Sequence, residues 1–86
     1  MKAYIARDCG GALYLYDEMP KVDPKWGDTY YAEFGNSILL WPYRFSIGYD
    51  NGWEKFNGVD FDSGPVEVEI DGWHDDIKAD EIRIIE

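Results

Sequence analysis

Apolar and polar residues alternate along several short stretches of this 86-residue chain, most regularly in VEVEI at residues 66–70. A period of two residues is typical of a β-strand with one buried face. No apolar repeat of 3.6 residues runs long enough to predict a long helix. The pattern predicts a mainly β fold: a small antiparallel, strongly bent sheet or open barrel of five to seven strands with little helix, in a single domain over residues 1–86.

Three hairpins are predicted where strand-like segments flank turn residues. They span about residues 2–16 with an RDCGG turn, residues 29–41 with a GN turn, and residues 59–70 with an SGP break. Residues 17–28 contain two prolines, which lack a backbone donor, and are predicted to form a loop.

The later part of the chain is less regular. Asn-Gly pairs at residues 51–52 and 57–58 predict tight turns. Between them, WEKF at residues 53–56 is either a very short strand or a single helical turn. From residue 71 onward we expect a loop and then a final strand, in which Ile82 and Ile84 alternate with neighbouring residues.

The third hairpin carries carboxylates on its polar positions. Its apolar residues are expected to face the core: Val59, Phe61, Val66, Val68 and Ile70. Pairing Phe61 with Val68 gives a four-residue loop that moves Val66 out of the core, whereas a three-residue loop would need a bulge. The four-residue loop opposes two pairs of carboxylates: Asp62 with Glu67, and Asp60 with Glu69. Opposed like charges destabilise a sheet, so this face is expected to lie beneath a cation, a base or a partner.

Charge is concentrated in the last third of the chain. Of the net charge of −10, residues 1–58 contribute −2, and residues 59–86 contribute −8 from ten acidic and two basic residues. Such a field repels nucleic acid and anionic membranes and attracts cations or a basic protein surface. The same charges would also keep a small aromatic-rich protein soluble, and the sequence leaves both interpretations open.

Catalytic, cofactor and metal chemistry finds little support. One cysteine, Cys9, and one histidine, His74, come without an oxyanion-hole motif and cannot supply four zinc ligands. DFDSG at residues 60–64 has Gly at the third calcium-ligand position. No catalytic, cofactor-binding or metal-binding residue is predicted, and an enzyme is not expected. A lone cysteine and the lack of a leader-like segment after Met1 predict a cytoplasmic protein that does not enter a membrane.

Fifteen aromatic rings exceed what a domain of this size can bury completely, so some are expected at a binding surface. Trp73, which lies among the acidic residues, is one candidate. The predicted partner-binding residues are Asp60, Asp62, Glu67, Glu69, Asp71, Trp73, Asp75, Asp76, Asp80 and Glu81.

YIARDCGGALYLYDEMP at residues 4–20 and GPVEVEI at residues 64–70 resemble the opening hairpin and late acidic strand of short uncharacterised proteins of gut bacteria, their phages and mobile elements. The acidic segment after residue 71 departs from that pattern. The resemblance implies a mobile-element setting without an assigned activity. In that setting, small acidic proteins often inhibit host defence, which is an argument by analogy.

Two functions follow as hypotheses. The first is a non-enzymatic acidic binding protein, an inhibitor of a host defence or nucleic-acid-binding protein. Its opposed carboxylate rows would approach the charge density of a DNA backbone, and it would bind a basic protein surface rather than nucleic acid itself. The alternative is a small-ligand or carbohydrate-binding β domain that uses exposed aromatic rings. The sequence does not determine the oligomeric state.

Overall fold

The structure is a computed structural model that describes residues 1–25, 27, 29–41, 53–56, 58–75 and 77–85. This part of the chain contains seven strands and two short 3₁₀ helices, and it contains no α-helix. The predicted mainly β fold is therefore confirmed. The strands are β1 (Lys2–Arg7), β2 (Leu13–Tyr16), β3 (Lys21–Val22), β4 (Tyr30–Tyr31), β5 (Ser37–Trp41), β6 (Val66–Ile70) and β7 (Ile82–Ile84). The 3₁₀ helices are Trp53–Phe56 and Ala79–Glu81. The first is one of the two forms predicted for WEKF, and β7 confirms the final strand.

Five strands form one antiparallel sheet in the order β5, β2, β1, β6, β7, and β3 pairs with β4 in a separate two-stranded sheet. Within the described residues the larger sheet is open, with β5 and β7 at its edges, and does not form a closed barrel. The tight turn predicted at Asn51-Gly52 lies outside the described residues, as does Asn57 of the second Asn-Gly pair.

The first predicted hairpin is confirmed. β1 pairs with β2 from Tyr4 opposite Tyr16 to Arg7 opposite Leu13. The turn between them is closed by Asp8, whose carboxylate accepts a hydrogen bond from the Ala12 N–H at 2.9 Å. Gly11 has a φ of 98°, a conformation that costs glycine little because it has no Cβ.

The second predicted hairpin, over residues 29–41, is wrong. β4 pairs with β3, and β3 lies inside the loop that was predicted for residues 17–28. β5 pairs with β2, with Ser37 opposite Tyr16. Pairing β5 with β2 places Leu40 in the core cluster, with Ile38 packed against it. The apolar burial gained in this way outweighs the local turn preference.

The third predicted hairpin, over residues 59–70, is also wrong. β6 pairs with β1 on one side and with β7 on the other, and residues 59–65 form no strand. Asp60 and Ser63 bond to each other instead: the Ser63 N–H donates to the Asp60 carboxylate at 2.6 Å, and the Asp60 N–H donates to the Ser63 hydroxyl at 3.1 Å. Such local side-chain bonds to the backbone compete with strand pairing.

The core lies on one face of the larger sheet. Its buried members are Ala3, Ile5, Leu13, Leu15, Leu40, Phe56, Val59, Val68, Ile70, Ile77, Ala79 and Ile82. Val59, Val68 and Ile70 are therefore core residues as predicted, whereas Phe61 is only partly buried. Val66, which the four-residue loop would have moved out of the core, begins β6 and packs against the core cluster. Segments outside the sheet supply the cover, because Phe56 and Ala79 come from the 3₁₀ helices, and Val59 and Ile77 from loops.

Two cationic side chains attach this cover to the sheet. The Arg7 guanidinium donates to the carbonyl oxygens of Val59 at 2.7 Å, Phe56 at 3.1 Å and Gly11 at 2.8 Å. The Lys55 ammonium donates to the carbonyl oxygens of Ala79 and Ile82. Charged donors make stronger hydrogen bonds than neutral ones, so both cations stabilise segments that lack regular pairing.

The opposite face of the sheet carries tyrosines. Tyr14 and Tyr16 lie on it, as the alternation in β2 predicts, and Tyr16 is almost fully buried. The Tyr16 hydroxyl donates to the Tyr30 carbonyl oxygen at 3.2 Å, which ties the small β3–β4 sheet to the larger one. Burial, with smaller effects of Tyr14, Asp8 and Tyr30, raises the pKa of Tyr16 well above its usual value.

We expect Phe56→Ala to lower the free energy of unfolding by about 3–5 kcal/mol, because a fully buried ring leaves a cavity. Phe34→Ala is the matched control, since that ring is 89% exposed and its removal should change stability by less than about 0.5 kcal/mol. Urea unfolding followed by circular dichroism measures both. If Phe56→Ala is unfolded, Phe56→Leu should show a smaller loss. Equal midpoints for the Phe56 and Phe34 variants would contradict the described core.

The raised pKa of Tyr16 predicts that the folded chain loses stability at alkaline pH. Because the pKa of Tyr16 is raised in the folded chain, its stabilising contribution is present below about pH 10 and is lost as pH rises above the unfolded value. Tyr16→Phe should be less stable at neutral pH, because the bond to Tyr30 is lost, and its midpoint should fall less steeply between about pH 9 and pH 11. An unchanged alkaline slope would contradict this assignment.

Candidate functional site

The predicted partner-binding residues fall into three groups along the chain. The first is the acidic turn, residues 60–63, which comes before β6. The second is the β6 row, Glu67, Glu69 and Asp71. The third is the connection, residues 72–81, which leads from β6 to β7 and contains Trp73, Asp75, Asp80 and Glu81. Asp76 lies outside the described residues. The turn and the connection adjoin opposite ends of β6, which spans about 14 Å.

The β6 row lies between cations rather than opposite other carboxylates. Glu69 is opposite Lys2 of β1 and Arg83 of β7. Oxygen–nitrogen distances are 3.2 Å from Glu67 to Lys2 and 2.9 Å from Asp71 to Arg83. The predicted oppositions of Asp62 with Glu67 and of Asp60 with Glu69 are therefore wrong, because β6 pairs with β1 and β7.

The N-terminal amine completes this arrangement. It lies 2.5 Å from the Glu69 carboxylate and also donates to the Ile70 carbonyl oxygen at 2.7 Å. The hydrogen bond and charge of Glu67 raise the pKa of the Lys2 amine. Each carboxylate of the β6 row thus has a cation beside it, and this row adds little net charge to the surface.

The acidic turn is fixed at its base and open at its tip. The Tyr30 hydroxyl donates to the Phe61 carbonyl oxygen at 3.1 Å, and the two rings lie 5.4 Å apart. The Asp60 carboxylate accepts a hydrogen bond from the Ser63 N–H. Asp62 is exposed and makes no ion pair with the part of the chain that the structure describes.

In the connection, one described carboxylate, that of Glu81, is held by hydrogen bonds, and two others, those of Asp75 and Asp80, are not in an ion pair with a described residue. Glu81 accepts a hydrogen bond from the Lys78 N–H at 2.6 Å and lies 3.1 Å from His74. These contacts, the backbone bond first, lower the pKa of Glu81. Asp75 and Asp80 are exposed and, within the described ranges, have no ion-pair partner.

Trp73 is partly buried and packs against the core cluster. The packing gives this ring a structural role. Its remaining surface lies in the same connection as Asp75 and Asp80.

Two of the cationic side chains are held away from the exposed carboxylates. Arg7 and Lys55 direct their charged groups to backbone carbonyl oxygens beside the core, where these hydrogen bonds stabilise the fold. Among the described residues, exposed carboxylates with no ion-pair partner lie at both ends of β6: Asp62 before it, and Asp75 and Asp80 after it. These three residues are the part of the predicted site that the geometry leaves available.

The Cys9–His74 pair is not brought together by the strand arrangement. Cys9 lies in the turn after β1, whereas His74 follows Ile70, whose N–H donates to the Met1 carbonyl oxygen at the beginning of β1. A search of the described residues finds no group of three or more His, Cys, Asp or Glu arranged to hold a metal ion. In the same residues, no helix has the length and apolar character needed to cross a membrane.

Sequence reasoning missed Phe34. Its ring is 89% exposed, the largest value among the exposed large hydrophobic residues that the structure describes. The ring projects from the Phe34 turn, residues 33–36, which connects β4 to β5. The hairpin predicted over residues 29–41 places this residue in a strand, just before the GN turn. The sequence feature that points to the turn is the acidic pair Asp17-Glu18 directly after β2, because such side chains accept backbone N–H groups where strand pairing stops.

Comparisons with known proteins return no match: no protein family, curated protein or solved structure is similar to this chain at the significance required.

The double variant Glu67→Gln with Glu69→Gln tests the charge arrangement on β6. We expect a lower urea midpoint at low salt, because the contacts with Lys2 and the N-terminal amine are lost, and a smaller difference at high salt. The matched control, Asp62→Asn with Asp75→Asn, removes the same number of charges and should keep or gain stability as repulsion falls. A Glu67/Glu69 variant more stable than wild type would instead indicate opposed carboxylates.

Proposed function

We propose that this chain is a non-enzymatic binding protein whose acidic surface binds a basic surface on another protein. The observation that carries the proposal is the position of three exposed carboxylates that have no ion-pair partner among the described residues, in a chain of net charge −10: Asp62, Asp75 and Asp80. Complementary charge raises association rates and selects partners. A partner with a strongly basic surface gains most from such a field.

One partner can reach both ends of β6. A protein interface of standard size buries about 800 Å² on each side and is therefore roughly 30 Å across. That width exceeds the roughly 14 Å length of β6, so a single basic surface is wide enough to reach both the acidic turn and the connection.

The proposed partner is a host protein that binds nucleic acid or acts in defence, because such proteins carry basic surfaces that accept phosphates. The resemblance of residues 4–20 and 64–70 to proteins of phages and mobile elements supports this setting by analogy. The β6 row gives no support to close imitation of a phosphate backbone, since each of its carboxylates has a cation beside it. The proposal rests on the free carboxylates instead.

The alternative of a carbohydrate-binding domain finds no specific support in the described residues. Phe34 is the single exposed aromatic residue among those whose burial the structure describes, a set that leaves out Trp41 and Trp53. A single exposed ring does not form a platform for a sugar. We therefore keep protein binding as the proposed function.

Two triple variants with equal net charge test the proposal. Asp62→Asn, Asp75→Asn, Asp80→Asn removes the free carboxylates, and Glu67→Gln, Glu69→Gln, Asp71→Asn removes the compensated ones. Each immobilised protein is exposed to nuclease-treated bacterial lysate at about 50 and about 500 mM salt, and bound proteins are quantified by mass spectrometry. We expect wild type to retain basic proteins at low salt only, the second variant to retain them, and the first to lose most of them. Equal retention by all three proteins at both salt concentrations would refute the proposal.

A further inference from the structure

The Phe34 turn carries an exposed apolar ring on a backbone that is held by hydrogen bonds. Single exposed apolar residues are common on protein surfaces, so the 89% exposure of this ring does not by itself indicate a binding site. What distinguishes Phe34 is that carboxylates hold the backbone of its turn by hydrogen bonds. The Glu18 carboxylate accepts hydrogen bonds from the Phe34 N–H at 2.7 Å and the Gly35 N–H at 3.0 Å.

Asp17 holds the other half of the turn. Its carboxylate accepts hydrogen bonds from the Asn36 N–H at 2.8 Å and the Asn36 side-chain amide at 3.0 Å, and its own N–H donates to the Asn36 carbonyl oxygen at 3.3 Å. Gly35 leaves the space that the Asp17 carboxylate occupies, since a Cβ at this position would clash with it. A segment ordered before binding loses less conformational entropy when it binds.

We propose that Phe34 is the apolar anchor of the interface, inserted into an apolar pocket bordered by Lys and Arg side chains on the partner protein. Buried aromatic residues at the centre of an interface commonly supply much of the binding energy. Met19, directly after Glu18, and Val22 in β3 are also exposed and add apolar area on the same segment. This inference deepens the proposed function and rests on it.

The negative charge around the Phe34 turn favours a partner with a basic surface over the other classes of partner. The carboxylates of Asp17 and Glu18 lie directly beneath the turn, and Glu33 beside it is paired with Lys21. A net charge of −10 opposes contact with a second copy of this chain, with nucleic acid and with an anionic membrane. A basic rim around the pocket instead complements the carboxylates that hold the turn.

The first experiment places a photo-crosslinker at the anchor. Phe34→p-benzoylphenylalanine keeps an aromatic side chain at this position, and Ile85→p-benzoylphenylalanine is the control, because Ile85 is exposed just after β7, at the opposite edge of the sheet from β5. After irradiation in bacterial lysate, mass spectrometry maps the crosslinked residues. We expect the Phe34 probe to label one protein within an apolar pocket that has Lys or Arg at its border, and the Ile85 probe to label no residue of that pocket. Labelling of a second copy, of lipid, or of nothing beyond the control would overturn the inference.

The second experiment measures affinity for the purified crosslinked protein. Phe34→Ala should weaken binding by at least about tenfold at every salt concentration at which wild type binds, because an apolar contact is not screened. Gly35→Ala keeps the ring, displaces the Asp17 carboxylate and should also weaken binding. Ile85→Ala should bind like wild type. Circular dichroism of each variant establishes that the fold is retained.

The outcomes separate the two proposals. If Phe34→Ala binds like wild type while the Asp62, Asp75, Asp80 variant loses binding, the anchor is refuted and the acidic surface stands. If Phe34→Ala loses binding while that variant binds like wild type at low salt, the acidic-surface proposal is refuted and the ring alone carries the contact. If both variants bind like wild type, both proposals are refuted.

Discussion

The antiparallel pairing of β1 with β6 is the contact on which the rest of the structure depends. It joins residues more than sixty positions apart, with Lys2 opposite Glu69 and Ile5 opposite Val66. Because β1 also pairs with β2, and β6 with β7, this one contact unites two halves of the sheet. It also places the N-terminal amine and Lys2 beside the acidic strand, so the main sheet contact and the compensation of charge have the same origin.

Carboxylates in this protein have several structural uses. Asp8 closes the β1–β2 turn, Asp60 orders the acidic turn, and Glu81 bonds to the backbone before β7. Each accepts a backbone N–H that no strand partner satisfies, as Asp17 and Glu18 do beneath the Phe34 turn. A fold of short strands leaves many such donors, and buried donors without acceptors are costly. Part of the acidic composition is therefore explained by the architecture, and only the remaining carboxylates are available for a partner.

The available carboxylates and the exposed ring have different energetic roles. Asp62, Asp75 and Asp80 act over distance, since their field reaches several ångströms into solvent before salt screens it. Phe34 acts only on contact, and its position is set by hydrogen bonds to side chains next to β2. A binding surface that combines both would be found quickly through charge and held by apolar contact.

The sequence by itself determined the class of fold, the first hairpin, the last strand and several core residues, because these follow from local alternation and turn chemistry. It also located the excess of charge, which depends on composition alone. Only the tertiary structure decided which strands meet. VEVEI alternates equally well beside any neighbour, and the partner was chosen by the apolar surface that β1 and β7 bury with Val68 and Ile70. That choice set cations beside Glu67, Glu69 and Asp71. The pairing of β4 with β3 and of β5 with β2 likewise placed Phe34 in an exposed turn. Charge pairing and exposure thus depend on neighbours outside the local sequence pattern.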